Sequence, residues 1–276
     1  MPARPLVLIA AALLAAAGGE AVAQQLATAP ARESGQSVSP AFEGWYRNQD
    51  GTVSISFGYF NRNTKEIVDV PIGPDNFIEP GNQNQGQPTR FHPQRAFGVF
   101  AVKVPANFDP RKSVTWHLTV RGETFAIPGS LNPGWQIDAL QGEASSNTPP
   151  LVRFAADGPS GAGPAGITGP PMTATVGTPL PITVWATDSG GTRAGRGRGG
   201  AAPTLAWFLH QGKGTVTFNP AAPRPEAGTG KATTMATFAT PGTYVLRLRV
   251  NDASGVTGGG HAQCCWSNAF VTVTVK

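Results

Sequence analysis

The sequence predicts an all-β protein of two β-rich domains joined by a Gly/Pro-rich segment. Three observations predict it. Short segments alternate apolar and polar residues with period two, the pattern of a half-buried strand. The chain of 276 residues carries 35 Gly and 26 Pro, which supply many turns. No stretch sustains the 3.6-residue apolar period of an amphipathic helix.

The first residues read as a signal peptide, residues 1–23. Arg4 supplies a positive start, Leu6 to Ala17 an apolar run, and Ala21-Val22-Ala23 a small-x-small cleavage site. The run is too short to span a bilayer comfortably. No cysteine follows the site, and no later segment is apolar for long enough to form a membrane helix. The expectation is a soluble product, periplasmic or secreted, in an oxidising space. The net charge of +5 suits acidic surfaces or polysaccharides but is too small to name a partner.

Residues 24–40 are polar and read as a flexible lead. A β-sandwich or barrel domain follows over 41–145. Asp50-Gly51 is a hairpin turn signal, and after it Val53, Ile55, Phe57 and Tyr59 share one face. "EIVDVPI" is a short strand limited by Pro71. "AFGVFAVKVP" places Phe100, Val102 and Val104 together, and "SVTWHLTV" places Val114, Trp116, Leu118 and Val120 opposite Thr115, His117 and Thr119. Arg121-Gly122 turns the chain into "ETFAIPG". Gly73 to Arg95 has no strand pattern and reads as a long polar loop. Asp75, Glu79, His92 and the amides of Asn76, Asn82, Gln83, Asn84 and Gln85 could line a polar site there.

Residues 146–171 form the Gly/Pro-rich linker, with part available as an extended edge. The second domain, 172–276, alternates more clearly. Leu180, Ile182, Val184 and Ala186 form one face, and Leu205, Trp207 and Leu209 another. Tyr244, Leu246, Leu248 and Val250 point inward with Arg247 and Arg249 outward, and Val271, Val273 and Val275 close the pattern. Trp185 falls on the opposite parity, which leaves it to cover a domain interface or to stand open for a ligand, the interface being preferred. Trp45 and Tyr46 are adjacent, so one turns outward.

The stretch "TPGTYVLRLRVNDASG" resembles the penultimate strand of PKD-type and related immunoglobulin-like modules of exported bacterial proteins, with its Pro-Gly-x-Tyr turn and Asp-x-x-Gly loop. Trp207 resembles the core Trp of such sandwiches. The resemblance covers roughly residues 172 to 276 and implies an immunoglobulin-like sandwich. It departs from the PKD pattern where "HQGKG" stands in place of an acidic turn, and both cysteines lie too late in the chain for an antibody-type intersheet bridge.

Motifs for nucleophilic, metalloprotease or nucleotide chemistry are missing from the sequence. Carboxylates are sparse, and the four histidines are scattered. No catalytic residue, metal or cofactor is assigned. In an immunoglobulin-like topology, the loops Thr187–Pro203 and Asn251–Asn268 leave the same end of the sandwich. Arg193, Arg196 and Arg198 would then face His261 and Trp266, a candidate ligand-binding tip. Its charge and aromatic ring suit an acidic polysaccharide or a partner protein. Export argues against nucleic acid. The adjacent Cys264 and Cys265 leave several arrangements open: a thiol pair, a vicinal disulfide, an intermolecular bridge or part of a soft-metal site. A vicinal ring needs a strained or cis peptide, because adjacent α-carbons sit about 3.8 Å apart when trans.

The function these features suggest is an exported, non-enzymatic binding or scaffolding protein of the cell envelope. One alternative is an enzyme or accessory subunit with a site in the 73–95 loop or between domains. Another is a redox- or metal-responsive protein using the Cys264-Cys265 loop. Oligomeric state is not written in the sequence.

Overall fold

The N-terminal half builds a sandwich from β1 (Val38–Arg47), β2 (Val53–Asn61), β3 (Val68–Asp69), β4 (Asn76–Glu79), β5 (Arg90–Phe91), β6 (Gln94–Val104), β7 (Ser113–Val120) and β8 (Glu123–Ser130). A computed structural model describes residues 32–142, 147–188, 202–252 and 263–276. The expected signal peptide and the start of the expected lead therefore lie outside the described residues. Antiparallel sheets β1-β2-β6 and β4-β7-β8 face each other, with β3 paired to β5. The predicted alternation decides their facing sides. Val53, Ile55, Phe57 and Tyr59 are buried with Val114, Trp116, Leu118 and Val120. Phe57 stacks on Phe100 and meets Trp116 edge-on. Each such side chain contributes roughly 1.5–3 kcal/mol of burial.

Two parts of this half differ from the sequence reading. The lead is ordered from Arg32 onward: the amide of Gln36 donates to Asn63 Oδ1 at 2.7 Å, and Val38 is buried at the start of β1. The 73–95 stretch carries β4, β5 and the start of β6. Buried Asn76 fixes it there. Its Nδ2 donates to the carbonyls of Val70 and Pro88, and its Oδ1 accepts from Trp116 Nε1 at 2.9 Å. Such short strands leave no room for a visible alternation.

The C-terminal half contains β9 (Leu151–Arg153), β10 (Ile167–Thr168), β11 (Met172–Ala174), β12 (Leu180–Thr187), β13 (Thr204–Gln211), β14 (Val216–Asn219), β15 (Lys231–Phe238), β16 (Gly242–Asn251) and β17 (Trp266–Val275). One sheet runs β9-β12-β15-β14. The other runs β13-β16-β17, with β10 and β11 both added to β17. This is the A-B-E-D and C-F-G arrangement of an immunoglobulin-like sandwich, its first strand split between the sheets. Tyr244, near the start of β16, donates its hydroxyl to the Thr240 carbonyl at 2.8 Å, the tyrosine corner of such folds. Trp207 sits in the core against Phe218. The Gly/Pro-rich segment thus supplies edge strands: β9 pairs with β12, and β10 pairs in parallel with β17. Residues Arg32–Lys276 cluster as one unit.

Candidate functional site

A set of buried polar side chains, among them His210, Arg247 and Asn268, lies where the two sandwiches meet. On β13, β16 and β17, the positions turned away from the C-terminal core are Phe208, Arg247 and Phe270 in one row, with Ala206, Arg249 and Asn268 in the next. A bulge in β6 packs on them. β6 pairs Phe100 with Phe57 and Ala96 with Tyr59, so Phe97–Val99 falls out of register. Gly98 adopts φ +45°, and a β-carbon there would run into the Trp266 ring. The bulge presents its carbonyls outward. Asn268 Nδ2 donates to the Gly98 carbonyl at 2.7 Å and to that of Pro164 at 2.8 Å. Longer bonds of 3.4 Å run from Trp266 Nε1 to Gly98 and from Arg247 Nη1 to Val99.

A second contact comes from the 84–92 stretch, which lies along the end of β13. The Thr89 amide donates to the His210 carbonyl at 2.8 Å, and Gln211 Nε2 donates to the Gln87 carbonyl at 2.6 Å. The register shift between Leu209 and Gln211 turns the His210 ring onto the Gly86 carbonyl, 2.7 Å away. Burial, followed by the nearby Arg247 charge, pulls His210 down to about 3. The same causes bring His92 down to about 4. Both rings are neutral at ordinary pH.

Arg247 is 4 % exposed. Its guanidinium lies 5.0 Å from the Phe208 ring centroid, and burial lowers it to about 10. At the seam's far end, buried Glu43 pairs with Arg95 at 2.6 Å, while the Glu43 carbonyl accepts from Gln263 Nε2 at 2.5 Å. Desolvation raises the Glu43 carboxyl above its ordinary value. Beside Gln263, Cys264 and Cys265 are buried and joined by a disulfide, their α-carbons 3.1 Å apart across a cis peptide. Cys264 Sγ lies 3.7 Å from the Asn147 carbonyl, and the Asp252 amide donates to the Cys265 carbonyl at 3.2 Å. Asn147 Nδ2 bonds Asp252 Oδ2.

Arg193, Arg196, Arg198 and His261 of the expected tip lie outside the described residues. The strand ends that flank them do align: Thr204 opposes Asn251, which opposes Trp266. Trp266 requires a correction. It was expected beside an open tip, but it is 1 % exposed and packs on Gly98. The first sandwich covers this end of β17, so the ring is an inter-sandwich contact. Arg247, expected outward, is outward from its own core yet dry for the same reason. Trp185 lies half-buried on β12, between Arg153 and Lys231, in the sheet that does not carry the β6 contact. Both Trp45 and Tyr46 are buried. Tyr46 turns away from its core but packs with Ile137 and Ala139, and its hydroxyl accepts from the Ala165 amide at 2.9 Å.

Asp75, Glu79 and His92 have separate surroundings. Glu79 meets His117 Nε2 at 2.9 Å, the Asp75 carbonyl accepts from the Thr119 amide, and His92 faces Phe208 edge-on. Among the described residues, no group of three or more His, Cys, Asp or Glu could hold a metal ion, and no helix is long and apolar enough to cross a membrane. Sequence reasoning missed the seam, although it left a signal. Phe208 on β13 and Trp266 and Phe270 on β17 are aromatic at outward positions of the two strands that flank β16, a mark of strands buried on both faces.

No protein-family model matches the chain, and no curated protein matches it. Among solved structures, domains 4 and 5 of the S-layer protein SbsC match at 12 % identity, covering 64 % of this chain and 70 % of that one, with a TM-score of 0.24. The D00-D0 domain of intimin matches at 16 % identity, covering 86 % of this chain and all of that one, with a TM-score of 0.27. Likenesses this distant carry no argument about role.

Proposed function

We propose that this chain is an exported, non-enzymatic binding or scaffolding protein of the cell envelope, periplasmic or secreted, whose partner is a polysaccharide or an envelope protein. In this reading, a signal peptide over 1–23 is removed. Modules 41–145 and 172–276 are joined by 146–171, and the second is kin to PKD-type modules. The observation that carries the reading is the seam. The Asn268 amide is committed to the Gly98 and Pro164 carbonyls, and the buried Arg247 guanidinium adds one long bond to the Val99 carbonyl. Freely hinged modules would have to hydrate those groups, and mobile domains usually meet over weaker surfaces. A fixed pair of sandwiches holds its outer loops at a set spacing, as a binding body or spacer requires.

The test is a glycan, cell-wall and envelope-protein array probed with the mature chain, together with fractionation of cells producing it. The expected result is export and retention on acidic glycan or envelope material that weakens with salt. Cytoplasmic retention, or a blank array, contradicts the proposal.

A further inference from the structure

The seam holds more positive charge than it balances. Buried Arg247 has one long bond, to the Val99 carbonyl, and the face of Phe208. Arg249 lies over the same ring at 5.5 Å, with its Nε buried and without a partner. His92 meets the ring edge-on at 5.3 Å, and its buried Nε2 also lacks a partner. Tyr59 closes the back, its hydroxyl accepting from the His92 amide at 2.9 Å. No carboxylate pairs with either guanidinium among the described residues, and Glu43 is already held by Arg95.

Two guanidiniums withdrawn from water without a counter-charge are an unfavourable arrangement unless something anionic joins them. Arg249 is only half-buried, so the cluster reaches solvent on its side. Ala206 sits across the strand pair from it, and Asn251 lies two residues further along β16 on the same face, its Oδ1 buried without a partner.

We infer that this cluster is an anion-binding site, in which Arg247 and Arg249, both over the Phe208 ring with His92 and Tyr59 beside it, take one oxyanion group. Guanidinium forks match the paired oxygens of a carboxylate, sulfate or phosphate. The aromatic ring holds both forks in place by cation–π contact. The group can belong to a free inorganic ion or to the carboxylate of a uronic-acid glycan. The site goes beyond the proposed role, and a blank binding array leaves it untouched.

The experiment is calorimetric titration and thermal unfolding of the mature chain with sodium sulfate, sodium phosphate and galacturonate oligomers. Sodium chloride at matched ionic strength is the reference, all at low-millimolar concentration to stay clear of general salting effects. The expected result is saturable stabilisation by an oxyanion and none by chloride. Arg249→Gln weakens that affinity by about tenfold or more, while exposed Arg111→Gln keeps it. A response to the oligomer alone assigns a glycan carboxylate, and a response to sulfate or phosphate assigns a free ion. Because Arg249→Gln also removes packing from Phe208, Ala206→Glu serves as a second variant. It places a carboxylate across the strand pair from Arg249, and is expected to raise the unfolding midpoint and abolish the anion response. No saturable response to any of the three probes, or an unchanged response in Arg249→Gln or Ala206→Glu, overturns the inference.

Discussion

The two outer faces of the C-terminal sandwich follow the same alternation and meet opposite fates. On β12 and β15, Thr183 and Thr233 face each other with exposed hydroxyls 2.9 Å apart, and Trp185 lies half-buried nearby. On β13, β16 and β17, the equivalent positions hold Phe208, Arg247 and Asn268, and the last two are buried. Nothing within the strands themselves separates the two cases. What differs is the neighbour: the β6 bulge covers one face, and no strand of the first sandwich pairs or bonds to the other among the described contacts. Period two assigns a side to each residue, and a second sandwich decides whether that side is wet.

Substitutions on the two faces should therefore separate sharply. The largest expected effect is Gly98→Val, which forces an L side chain into φ +45° and against Trp266. A loss of about 3 kcal/mol is expected by chemical denaturation. Asn268→Leu comes next. It leaves the Pro164 carbonyl unpaired in a dry seam and the Gly98 carbonyl with only its long bond from Trp266, at a cost of roughly 2 kcal/mol.

Acid sharpens the contrast, because the buried histidines lie on the seam side. Burial, then Arg247, holds His210 at about 3 and His92 at about 4, against an ordinary 6.5. Once unfolded, each ring regains its ordinary affinity and takes up a proton. The stability from keeping them neutral is whole above about pH 6.5 and falls as pH drops toward 4 and 3. The slope reaches about 1.4 kcal/mol per pH unit for each ring. Denaturation curves of His210→Gln, whose amide still reaches the Gly86 carbonyl, should lose roughly one ring's share of that slope. The smallest effect belongs to the wet face, where Thr183→Ala should stay within about 0.5 kcal/mol.

The inward faces were legible in the sequence because burial there repeats. Val53 to Tyr59, Val114 to Val120 and Tyr244 to Val250 each give four apolar residues at period two, and all are buried. Trp207 was legible from its setting in the immunoglobulin-like pattern. The 73–95 strands were not, since β4 spans only Asn76–Glu79 and is fixed by an amide rather than by periodicity. The seam escaped for a different reason. Arg247 and Asn268 are residues that ordinarily mark solvent, and their burial depends on β6, distant in sequence. Trp266 was expected at an open tip and is buried against the bulge, because the loop argument considered one sandwich alone.

The central claim is that the two sandwiches are locked through the β6 bulge and open as one body. Hydrogen exchange read by mass spectrometry in increasing denaturant tests it most directly, following peptides from β2 and β7 alongside peptides from β12 and β15. The account predicts that both sets lose protection at one denaturant concentration in the native chain and at two in Gly98→Val. Separate openings in the native chain, unchanged by Gly98→Val, would contradict it.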